Sequence, residues 1–131
     1  MKGVKTYTAN IYVGLKPNYD DTSMDVLNQN KLKATAICQK YCDDIGLGLT
    51  LTDTTFIYTK GNEPGLIVGL INYPRFPAEK KDIREKAIAL ARNLLSELNQ
   101  QRLSVVFSDS TIMLERDDNE SNNRDNEDGD Q

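Results

Sequence analysis

The apolar run at residues 66–71, Leu-Ile-Val-Gly-Leu-Ile, constrains this chain more than any other stretch. It is too short for an ordinary helix and is fenced by breakers, with Gly61 and Pro64-Gly65 before it and Pro74 and Pro77 after it. Such a run reads as a strand covered on both faces, in the middle of a sheet. Residues 60–65 are expected to form the turn that leads into it, because proline and glycine supply the backbone angles of tight reversals. The run ends in Asn72, Tyr73, Pro74, Arg75, Phe76 and Pro77. A proline-stiffened loop carrying an amide, two aromatic rings and a guanidinium is a natural place for a ligand.

The rest of the chain builds around that strand. Tyr7, Ala9, Ile11, Val13 and Leu15 alternate with polar or small residues, the pattern of a half-buried strand. After a loop at 16–21, Thr22 and Asp25 have the spacing of a capping box. Leu27, Ala34, Cys38, Tyr41 and Ile45 then form one helical stripe, closed by Gly46. A second strand is expected from Leu47 through Tyr58. A second helix spans about residues 78–101, with Ile83, Ala87, Leu90, Ala91, Leu94, Leu95 and Leu98 on one face. Residues 103–108 and 111–115 read as strands joined by a turn at Asp109-Ser110. The predicted order is β-α-β-β-α-β-β. This is an α+β fold, a ferredoxin-like core with two helices packed on one face of an antiparallel sheet and an extra C-terminal strand. Its uncovered face, carrying Tyr12 and Gly14, predicts a homodimer or higher homo-oligomer.

Charge divides the 131 residues into two regions. Residues 117–131 hold seven acidic residues against Arg124 alone, so they carry −6 and leave +2 on residues 1–116. A stretch without apolar residues cannot offset its ordering entropy, so 117–131 is expected to be a disordered acidic tail and 1–116 the single ligand-binding domain. A nearly neutral body disfavours long DNA or RNA as a partner. No stretch is apolar enough to span a bilayer, and the start does not read as a signal peptide, which predicts a soluble, cytoplasmic protein.

Few residues announce chemistry. The chain has no histidine, which excludes Ser-His and Cys-His nucleophiles. Cys38 and Cys42 lack further ligands for a metal and read as small half-buried hydrophobes. Asp20, Asp21 and Asp25 lack the spacing of a calcium loop and suit helix capping. Glu63 is expected in a turn with no second carboxylate near it in sequence. Neither a metal nor another cofactor is implied. Gly14 and Gly69 interrupt strands, as glycine does where a backbone or ligand comes close or where the strand bulges. Arg75, Phe76 and Asn72 together make a nucleotide-recognition set: a ring for a base, a cation for phosphate and an amide for a base edge. Tyr73 lies in the same loop, and Arg102 is a second cation. The loop with Lys16 and Tyr19 leaves the other glycine-bearing strand, so a pocket using both loops would require two subunits. The bland reading stands beside this one: Phe76 staples the loop to the helix and Arg75 is solvated.

Three segments carry a family resemblance: Ala9-Asn10-Ile11-Tyr12-Val13-Gly14-Leu15, then Phe56-Ile57-Tyr58 before Gly61-Asn62-Glu63-Pro64-Gly65, then Ile71-Asn72-Tyr73-Pro74-Arg75-Phe76-Pro77. Over most of residues 5–116 the chain resembles the phage Thoeris anti-defence proteins of the first described type. The resemblance implies a non-catalytic sponge in the cytoplasm of an infected bacterium. It would sequester a cyclic ADP-ribose isomer such as glycocyclic ADP-ribose, with cyclic oligonucleotides as further ligands, in pockets between subunits. Phe76 would stack on adenine, and Arg75 and Arg102 would meet phosphates. Two rivals remain open from sequence: a protein-interaction or structural module without a small ligand, and an enzyme acting on a cyclic nucleotide.

Overall fold

The computed structural model describes residues 1–16 and 23–116. The elements run β1 (Thr8–Gly14), α1 (Met24–Ile45), β2 (Thr50–Tyr58), β3 (Gly61–Ile71), α2 (Lys80–Glu97), β4 (Arg102–Phe107) and β5 (Thr111–Glu115). The strands form one antiparallel sheet in the order β2-β3-β1-β4-β5. Two helices pack on it, in the arrangement expected from sequence. The acidic segment 117–131 and the capping residue Thr22 lie outside the described residues.

Alternation decides the core. Tyr7, Ala9, Ile11, Val13 and Leu15 are all buried. Opposite them in register, Leu66, Val68 and Leu70 of β3 and Val105 and Phe107 of β4 turn the same way. α2 buries Ile83, Ala87, Leu90, Ala91, Leu94 and Leu95, and Leu98 just beyond its end is buried too. Full burial of a leucine-sized side chain is worth about 1.5–3 kcal/mol, so this stripe holds the helix on the sheet. α1 is attached more lightly, with only Ala34 and Cys38 buried. Burial pushes the Cys38 thiol up to about 11, with Cys42 beside it adding to the rise. That side chain behaves as a neutral hydrophobe.

Five local readings are corrected. The middle strand is β1, and β3 is its neighbour. β3 extends back to Gly61, so the reversal is at Thr59 and Lys60, where Lys60 takes a φ of 63°. Pro64 therefore lies inside a strand, where its carbonyl accepts a hydrogen bond from Leu15 N at 3.1 Å. Extended pairing of 61–65 with 54–58 of β2 outweighed the local turn preference of Pro-Gly. The N-cap of α1 is Ser23, whose hydroxyl accepts from Val26 N at 3.3 Å. β2 begins at Thr50, later than expected, and α2 stops at Glu97. Gly46 caps α1 as expected, at a φ of 78°.

Candidate ligand-binding site

The strand registers define the face that the helices leave open. Asn10, Tyr12 and Gly14 of β1 share it with Glu63, Gly65, Ile67 and Gly69 of β3 and with Thr52, Thr54, Phe56 and Tyr58 of β2. Arg102 and Ser104 of β4 continue it on the other side. Toward the Gly14 end this face holds a cavity of about 410 Å³, with Tyr12, Phe56, Tyr58, Glu63, Gln100 and Arg102 in its wall.

Two missing side chains create the cavity's geometry. A β-carbon on Gly65 would strike the ring of Phe56, so that glycine is what lets the ring lie across β3. There Phe56 stacks with Tyr12, centroids 6.0 Å apart and planes inclined by 23°. At Gly14 a β-carbon would stand 2.5 Å from Glu63 Oε2 and 2.9 Å from Gln100 Oε1. The absent side chain is what lets a carboxylate and an amide oxygen converge on the backbone of β1.

The polar pair is held differently on its two sides. Gln100 follows α2 and is only 6% exposed. Its Nε2 donates to the carbonyl of Lys16 at 2.7 Å and to that of Leu98 at 3.4 Å, which leaves its oxygen facing Gly14. Glu63 is half-buried and makes no ion pair among the described residues. Two acceptor oxygens, one of them anionic, beside a pair of aromatic faces favour a ligand with an aromatic base and a positive charge. Arg102 stands at the rim, its Nε 3.3 Å from Glu115 Oε2.

The residues singled out in sequence fall into two groups. Arg102 lines this cavity, and Lys16 reaches it through the backbone carbonyl that orients Gln100. Asn72, Tyr73, Arg75 and Phe76 follow the end of β3 that pairs with Thr8, the opposite end of β1. β1 has seven residues, so the two groups are about 20 Å apart in one chain. Asn72 is not free to read a base. Its Nδ2 donates to Lys5 O, and its Oδ1 accepts from Ala78 N, both at 2.9 Å. Tyr19 lies outside the described residues.

Sequence reasoning missed Tyr12, Phe56, Tyr58, Glu63 and Gln100 as site residues. The signal available was Gly14 inside a strand, which marks a close approach. It lacked a partner because Glu63 was assigned to a turn.

No known family matches this chain, and no curated protein does. Solved structures share its fold. A phage SAM lyase in complex with S-methyl-5'-thioadenosine superposes with a TM-score of 0.68 at 16% identity, covering 88% of this chain and 94% of that one. A phage SAM lyase in its apo state gives 0.61 at 18%, covering 84% and 89%. The chain thus shares its fold with a phage SAM lyase, and the Thoeris family is not among these matches. The expectation that the chain is not an enzyme is corrected accordingly: the structures that share its fold are those of an enzyme. The absence of histidine excludes Ser-His and Cys-His nucleophiles alone and does not exclude an enzyme.

Proposed function

We propose that this chain is a lyase acting on a sulfonium nucleoside of the S-adenosylmethionine class, bound in the cavity beside Gly14. The observation that carries the reading is the convergence of the Glu63 carboxylate and the Gln100 amide oxygen next to the Tyr12–Phe56 stack. The ligand in the neighbouring lyase, S-methyl-5'-thioadenosine, supports the same reading. An adenine-bearing small molecule is also the part of the sequence expectation that this reading retains. The cyclic ADP-ribose sponge is not retained.

The chemistry suits a site with few ionisable groups. A sulfonium leaves as a neutral thioether that keeps the electron pair of the broken C–S bond, so the leaving group needs no proton. The four-carbon fragment balances in one of two ways. Its own carboxylate oxygen closes on the carbon that bore sulfur, giving a lactone, or a base removes the neighbouring C–H proton, giving an alkene. In the first route Glu63 and Gln100 hold the substrate's ammonium group. In the second Glu63 takes the proton. The aromatic pair supplies a face for adenine or for the sulfonium charge in either route.

Incubation of the purified protein with S-adenosylmethionine, followed by chromatography, is expected to show S-methyl-5'-thioadenosine accumulating over many turnovers. The identity of the four-carbon product separates the two routes. The absence of both product and calorimetric binding would refute the reading. The expected homo-oligomer belongs to the same proposal. A second copy seated on the open face, where Tyr12, Tyr58 and Met113 are exposed, would roof the cavity. Light scattering of the purified chain is expected to give at least twice the monomer mass, and a monomer at micromolar concentration would exclude the roof.

A further inference from the structure

We propose that the opposite end of the sheet holds a second binding site, for a small aromatic anion, independent of the cavity beside Gly14. A cavity of about 170 Å³ lies there, between the end of α1, the end of β3 and the first turns of α2. Gly48, Leu70, Tyr73, Phe76, Ile83 and Lys86 are in its wall. Its lining is polar and apolar in equal measure and includes one cationic residue, Lys86.

Three features point to a ligand. Lys86 is half-buried and pairs with no carboxylate among the described residues, while its backbone carbonyl is held by the Tyr41 hydroxyl at 3.2 Å. A lysine in that setting gains from an anion that enters the cavity. Phe76 is 63% exposed, too open to be the hydrophobic staple that local sequence allows, and offers its ring at the mouth. The Arg75 guanidinium stands 5.4 Å from the centre of that ring, so a second cation flanks the entrance.

The loop that presents these groups is already ordered. Phe76 N donates to Tyr73 O at 3.0 Å, and Asn72 ties the loop to Lys5 on one side and Ala78 on the other. Pro74 and Pro77 restrict it further. A site prepared in this way loses little conformational freedom when it is filled. The wall's volume suits one six-membered ring with its acidic group toward Lys86, which is the size of an aromatic carboxylate or an aryl phosphate.

Phenyl phosphate is the probe that tests this, titrated into the full chain to about 10 mM and followed by amide NMR shifts. The expected result is saturable shifts at Gly46, Gly48, Tyr73, Phe76 and Lys86, with Gly14 and Ser104 unmoved. Lys86→Gln is expected to weaken phenyl phosphate at least about fivefold and to leave neutral phenol unchanged. Phe76→Ala is expected to weaken both. Shifts confined to residues around Gly14, no shifts at all, or equal loss of both probes in Lys86→Gln would each overturn the proposal. Because no S-adenosylmethionine is used, the result does not depend on the lyase reading.

Discussion

On the proposed lyase reading, Glu63→Gln is expected to lower kcat/KM for S-adenosylmethionine by at least about 100-fold, the lower end of what a positioned acid–base group contributes. The substitution keeps the shape of the side chain and removes its charge. Glu63 is half-buried and makes no ion pair among the described residues, so no structural contact is lost with the charge. Stability should therefore stay within about 0.5 kcal/mol, as for substitutions away from packed or paired groups. The two chemical routes separate in the kinetics. If Glu63 anchors the ammonium group, KM rises and kcat moves little, because the same contact is present in the ground state and in the transition state. If Glu63 is the base, kcat falls and KM moves little. A folded Glu63→Gln protein with kcat/KM within about threefold of the parent would remove Glu63 from the mechanism under either route.

That Glu63 escaped the sequence reading while the fold did not has a physical reason. The fold rests on periodicity, which is a local property of many residues at once. The alternation from Tyr7 to Leu15 and the stripe from Ile83 to Leu98 place the core residue by residue, and every one of those residues is buried. The site rests on single encounters between distant segments. Glu63, Gln100 and Gly14 meet only because β3 pairs with β1 and because the end of α2 returns the chain beside Lys16. No local window contains them together. The local preference of Pro64-Gly65 for a turn also pointed the wrong way, since strand pairing overrides it here. By contrast, the loop at 72–77 is conspicuous through composition alone. Its amide turned out to hold the chain together, through bonds to Lys5 and Ala78 that sequence cannot display.

Gly65→Ala is expected to destabilise the protein by about 1–3 kcal/mol, the cost of forcing an extra methyl into a packed position. On backbone grounds alone the opposite sign would be expected. Among the described residues Gly65 does not have a positive φ, and alanine at an unstrained position stabilises by about 0.4–1 kcal/mol through the unfolded state. Space reverses that expectation. The new β-carbon would meet the Phe56 ring and, at 2.7 Å, the carbonyl oxygen of Val13. The ring can swing aside, but the carbonyl belongs to β1, which is held between β3 and β4 with its other face against the core. The Val13 contact therefore persists as strain, and the ring contact is relieved only by moving Phe56, which breaks the stack with Tyr12. Lost stability and lost turnover should then appear together in Gly65→Ala, measured by urea unfolding and by release of S-methyl-5'-thioadenosine. Phe56→Leu separates them in part: in the double variant it removes the ring contact and leaves the Val13 carbonyl contact, so stability recovers partly while turnover stays low. If Gly65→Ala instead unfolds at higher urea than the parent, the close approach of Phe56 to β3 does not exist in solution, and the aromatic wall of the site goes with it.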